Sequence, residues 1–147
     1  MQRDSRRQLI GLIYRVHGNL RSLFSGPVAG ADLALLEALA LATIDATPQP
    51  LTVSQIGREL GFLRQSVQRA VSKLVELGLV EAQPNAAHKS APVFVITDAG
   101  RQRMLSIETP AQELADSLAG IFDDARAAAL CRELSDLRKA INERIGK

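Results

Sequence analysis

Tryptophan is absent from this chain, tyrosine occurs once and phenylalanine four times, so aromatics make up only 3% of it. Its 46% hydrophobic content therefore rests on Leu, Ile, Val and Ala, the residues with which helical bundles fill a core. The one cysteine, Cys131, precludes an internal disulfide and suits a reducing, cytoplasmic setting. With only His17 and His88 beside it, no ligand set of recognised spacing exists, and no metal or other cofactor is expected. Long apolar runs are lacking too. The N-terminal MQRDSRRQLIGLIYRV is basic and then apolar, but Arg15, His17 and Arg21 interrupt it before a signal-peptide core or a membrane span can form. There is no G-x-S-x-G elbow, phosphate-binding glycine loop, HExxH or paired-cysteine site. Asp123 and Asp124, read as neighbours on a helix, point apart and cannot work as a carboxylate pair. Catalysis is not expected. No internal repeat or low-complexity tract is apparent, and 147 residues suit one domain per chain.

The net charge of +2 says less than its placement. Residues 1–24 hold five Arg against one Asp, and residues 25–51 hold three acids and no base. Residues 52–103 then hold seven bases against four acids, and residues 104–147 six against eight. Small proteins often fluctuate in this way, so the basic sign of the third segment supports an anionic partner only modestly.

That segment carries the most information. Thr52 can cap a helix, with Gln55 three residues on completing a capping box. Ile56 and Leu60 share a face of this helix, and Gly61 supplies a tight turn. A second helix follows, with Val67, Val71, Leu74 and Val75 at core-facing spacing. Arg64, Gln65, Ser66, Gln68, Arg69, Ser72 and Lys73 are left toward solvent, with no carboxylate before Glu76. Leu77-Gly78 stops the helix. Leu79-Val80-Glu81-Ala82 reads as a strand, Asn85 to Pro92 as a small, polar, mildly basic tip, and Val93 to Ile96 as the returning strand. Thr97 caps a further helix, and Asp98 favours its positive N-terminus. Helix, turn, helix and β ribbon in this order make a winged helix.

The runs I-G-R-E-L-G, S-V-Q-R-A-V-S-K-L-V-E-L-G-L-V-E and V-I-T-D-A-G resemble the winged helix of MarR-type transcriptional regulators, and the resemblance extends over essentially the whole chain. It departs in three places. Leu63 stands where the family usually has a capping Ser, Thr or Asp before the recognition helix. His88-Lys89-Ser90 stands where the wing usually has Asp-x-Arg, and resembles a His-containing variant found in part of the family. No cysteine lies near the N-terminus, unlike the peroxide-sensing branch.

Outside the motif, Leu9, Ile13, Val16, Leu20 and Leu23 or Phe24 recur at helical spacing over residues 5–24, and Gly26-Pro27 is expected to end that helix. Gly30-Ala31-Asp32 starts the next, whose residues 33–45 are apolar nearly all round and predict the buried centre. Thr47-Pro48-Gln49-Pro50 is a rigid linker. After Gly100 a helix continues, with a kink expected at Thr109-Pro110. A last helix places Leu130, Leu134, Leu137, Ile141 and Ile145 in a narrow seam, which either packs back on its own chain or meets a second one.

The resulting fold is mainly α with a small β-hairpin wing: a winged helix-turn-helix core at residues 31–103, with dimerisation helices at 1–30 and 104–147, in a single domain. The resemblance implies a homodimer whose first and last helices interlock, with two recognition helices about 34 Å apart on an inverted-repeat DNA operator. Gln65, Ser66, Gln68 and Arg69 then face base edges, Gln suiting adenine and Arg guanine. Arg64 and Lys73 meet phosphates, as do the N–H groups of Ser54 and Gln55, although capping explains Gln55 equally well. His88, Lys89 and Ser90 form the wing contact. The family's ligand pocket implies a small-molecule effector near Tyr14, His17 and Arg21, residues that a dimer seam explains equally well. Cys131 reads as a small buried hydrophobe rather than a redox switch. The function expected is a cytoplasmic repressor released by its effector. A winged helix that binds protein instead of DNA is the rival, motivated by the missing wing arginine.

Overall fold

The computed structural model describes residues 4–145, the Pro27 side chain apart. In chain order it contains α1 (Ser5–Gly30), α2 (Leu35–Ala46), β1 (Leu51–Thr52), α3 (Val53–Leu60), α4 (Arg64–Glu76), β2 (Val80–Gln83), β3 (Val93–Ile96), α5 (Asp98–Ser117) and α6 (Asp124–Ile145). This is the mainly helical winged helix that the sequence implies. Among the described residues no single helix is long and apolar enough to cross a membrane.

The end of α1 differs from expectation. The helix runs through Gly26-Pro27 and stops only after Gly30. Its stop is Asp32, the one described non-glycine residue with positive φ (55°). Leu33 N–H donates to the Val28 carbonyl at 3.3 Å and Asp32 N–H to the Ala29 carbonyl at 2.9 Å, the paired bonds of a Schellman motif. Val28 and Leu33, which bracket it, are both buried. Aspartate tolerates the left-handed region better than most residues, so it can stand where glycine is usual.

α2 starts at Leu35, where the Ala34 N–H donates to the Glu37 carboxylate at 2.8 Å. It contacts α1, α3, α4 and β3, and buries Ala38, Ala40, Leu41 and Ile44. Its all-round apolar sequence thus marks the centre of this unit. The core around it joins Ile56 of α3, Val67, Val71 and Leu74 of α4, Leu79 and Val80 at the root of the wing, and Phe94 of β3. Val28, Met104 and Ile107 also belong to it, so the core reaches beyond residues 31–103 on both sides.

Rather than a two-stranded ribbon alone, the sheet has three antiparallel strands in the order β1-β3-β2. Leu51 pairs with Phe94 and Thr52 with Val93. A two-residue strand has no periodicity to reveal it. On the other edge Val80 faces Ile96 and Gln83 faces Val93, so β2 begins one residue later than the sequence implies.

The chain divides into two compact units that part after Ile107, within α5. α5 continues through Pro110. In the second unit Asp123 is not on a helix but caps α6, its carboxylate accepting the Arg126 N–H at 2.8 Å. α6 buries none of its residues. Leu130, Leu134, Ile141 and Ile145 are exposed, and so is Cys131, contrary to its reading as a buried hydrophobe. Residues 1–3 and 146–147 of the expected dimerisation segments lie outside the described residues.

Candidate nucleic-acid interface

The corner between α3 and α4 is built from local signals. Thr52 caps α3: its hydroxyl accepts the Gln55 N–H at 3.3 Å, and the Gln55 side chain accepts the Thr52 N–H at 2.8 Å. At the other end Gly61 adopts φ 72°, and the N–H groups of Gly61 and Phe62 both donate to the Gly57 carbonyl, at 2.8 and 3.1 Å. Gly57 lets the helices close up. A Cβ there would meet the Phe62 carbonyl oxygen at 3.1 Å and Val67 Cγ2 at 3.7 Å.

α4 begins without a side-chain cap. Leu63 takes the N-cap position with extended backbone, and its carbonyl accepts the Ser66 and Val67 N–H groups at 3.0 and 3.1 Å. A hydroxyl or carboxylate there would contribute about 1 kcal/mol that leucine forgoes. Leucine gains no burial in exchange, since it is 79% exposed.

Along α4 the buried positions are Val67, Ala70, Val71 and Leu74. Val75, expected in the core, is 39% exposed. Positions 67, 70, 71 and 74 follow the i, i+3, i+4, i+7 stripe, and small Ala70 completes it where sequence reading favoured the larger Val75. The opposite face exposes Arg64, Gln65, Gln68, Arg69, Ser72 and Lys73, with Ser66 half-buried. Arg64, Gln65, Gln68 and Arg69 line one shallow, open depression. Gln68 donates to the Ser72 hydroxyl at 3.2 Å, and Lys73 pairs with Glu76 at 3.2 Å. That exposed ion pair is worth little, so Lys73 can leave it for a phosphate.

At the start of α3, Ser54 is exposed, whereas Gln55 has both its N–H and its side chain engaged in the capping box. The structure therefore shows the capping role for Gln55.

The wing departs from α4 through a second Schellman stop. Gly78 has φ 69°, its N–H donates to Val75 at 2.9 Å, and the Leu79 N–H to Leu74 at 2.9 Å. Thr97 then ties the base of the wing. Its hydroxyl donates to the Gly78 carbonyl at 2.7 Å and accepts the Gly100 N–H at 3.0 Å, while its own N–H donates to Leu79 at 3.0 Å. Sequence reading found the cap but not the tie to the end of α4. At the tip, Asn85 accepts the Ala87 N–H at 3.1 Å and donates across the loop to the Ala91 carbonyl at 2.9 Å. Its place at the start of a polar loop was the only signal of that organising role. His88, Lys89 and Ser90 are exposed on this tip.

Tyr14, His17 and Arg21 are exposed along α1 at spacings of three and four, hence on one face. Among the described residues no group of three or more His, Cys, Asp or Glu side chains can hold a metal ion.

Comparison with known proteins agrees with this geometry. A family model described as MarR family matches residues 31–89, which span α2 to the wing tip. An uncharacterized protein of Mycobacterium tuberculosis is 32% identical over 126 residues, covering 86% of this chain and 87% of its own length. The transcriptional regulator BldR of Sulfolobus solfataricus shares the fold with a TM-score of 0.82 at 19% identity, over 95% of this chain and 99% of that one. BpsR of Bordetella bronchiseptica, whose DNA binding is regulated by 6-hydroxynicotinic acid, shares it with a TM-score of 0.72 at 15% identity, over 88% and 98% of the two chains.

Proposed function

Because this chain belongs to the MarR family of winged-helix, DNA-binding transcription regulators, we propose that it acts in the cytoplasm as a homodimeric repressor of an inverted-repeat operator, released by a small-molecule effector. The observation that carries this reading is the exposed face of α4. It offers two arginines, a lysine, two glutamines and Ser72 over about three turns, with Ser66 half-buried beside them and no carboxylate before Glu76. Phe62 and Leu63 are exposed just ahead of this face, but from Arg64 to Lys73 every exposed position is polar. A protein-binding face would more often present aromatics or an apolar patch along its length.

In this reading Gln65, Ser66, Gln68 and Arg69 enter the major groove and read base edges. Arg64, Lys73 and the N–H groups at Ser54 hold phosphates, and His88, Lys89 and Ser90 hold the backbone beside the wing. Dimerisation rests on two apolar stripes left open in the single chain. One is Leu9, Val16, Leu20 and Leu23 on α1, and the other is Leu130, Leu134, Ile141 and Ile145 on α6. The effector is proposed by analogy with BpsR, with Tyr14, His17 and Arg21 in its pocket. Such a ligand releases DNA only by preferring a spacing of the two recognition helices that the operator cannot accept. A tenfold weakening needs about 1.4 kcal/mol of that preference.

Selection of bound sequences from a random duplex pool tests the reading. An enriched inverted repeat with half-sites about one turn apart is expected. Enrichment of no sequence, with only weak salt-sensitive binding, would favour a protein-interaction module instead.

A further inference from the structure

Leu63 is the most exposed large hydrophobic side chain among the described residues, and it stands at the head of the helix proposed to read DNA. It neither caps that helix nor packs into the core. Its backbone is held by the first turn of the helix, where its carbonyl accepts the Ser66 and Val67 N–H groups. It directly precedes Arg64 and Gln65, two of the four residues lining the open depression on this face. An apolar group held here finds no cover in the free chain. In a major groove the base edges offer it one apolar feature, the 5-methyl group of thymine.

We propose that Leu63 is a specificity-determining residue that packs against a thymine methyl in each half-site, adding a contact that a capping Ser, Thr or Asp could not make. The proposal rests on the DNA-reading function above. It accounts for two observations together: the forgone cap and the uncompensated exposure.

The test uses the selected operator, with each thymine of one half-site replaced in turn by uracil, which lacks only the methyl group. Affinities are measured for the natural protein, for Leu63→Ser and for Arg69→Ala. The natural protein should weaken roughly fourfold at one thymine, the equivalent of one buried methyl group. Leu63→Ser should be indifferent to uracil at that position, while Arg69→Ala keeps the response. Folding does not confound the comparison, because Leu63→Ser supplies a capping hydroxyl at an exposed position and should melt at or above the natural temperature. A half-site without thymine, uracil tolerated at every position, or a Leu63→Ser protein that still senses the methyl would each overturn the proposal while leaving the operator intact. Failure of the selection to enrich any sequence would refute DNA reading itself, and this contact with it.

Discussion

At the scale of single residues, two kinds of contact should separate by experiment. Arg69 lies in the exposed depression of α4, where a guanidinium can form paired bonds with guanine. Arg69→Ala should cost about 1–3 kcal/mol on the best operator and relax preference at one base position. Quantitative binding to a panel of operator variants checks this, and unchanged affinity for the best operator would remove Arg69 from the reading set. Lys89 sits on the wing tip, between His88 and Ser90, in a loop braced by Asn85. A backbone contact carries no sequence information, so Lys89→Ala should weaken all operators evenly and lower the salt slope by about 1. A changed base preference with the slope intact would show that the wing reads bases.

At the scale of elements, the joint between α4, the wing and α5 is closely specified by its hydrogen bonds and by a glycine. Thr97 bonds to Gly78, Leu79 and Gly100, and a Cβ at Gly100 would overlap the Leu79 carbonyl oxygen and meet Ile96 Cγ1 at 2.6 Å. Gly100→Ala should therefore destabilise the fold by about 1–3 kcal/mol, seen as a lower urea midpoint with an unchanged slope. An unshifted midpoint would mean that the joint relaxes freely. Elements whose limits are set by neighbouring residues were legible in the sequence. Thr52 with Gln55, Gly61, Gly78 and Thr97 each act within a few residues, and they bound α3, end α4 and start α5. Features decided by backbone conformation, by burial or by a distant strand were not. The end of α1 depends on Asp32 accepting a left-handed conformation and on Val28 and Leu33 burying together, whereas Pro27 offered a nearer but false stop. β1 exists because β3 passes beside Leu51 and Thr52. Ala70 replaces Val75 in the core because position on the helix outweighs side-chain size.

At the scale of the whole molecule, burial within one chain leaves α1 and α6 incomplete. Cys131 misled for this reason: α6 buries nothing in its own chain, so a residue on its apolar side has no cover there. If a second copy supplies that cover, Leu134→Asp should halve the sedimenting mass and abolish tight operator binding while the α3–α4 unit stays folded. A dimer of unchanged mass would place the interface elsewhere. The geometry of such a dimer admits one decisive measurement: operator affinity after about five base pairs, half a helical turn, are inserted between the half-sites. Two recognition helices held about one turn apart in a rigid dimer cannot then face both half-sites, so affinity should collapse toward that of a single half-site. Affinity unaffected by the insertion would contradict a two-fold dimer reading a palindrome.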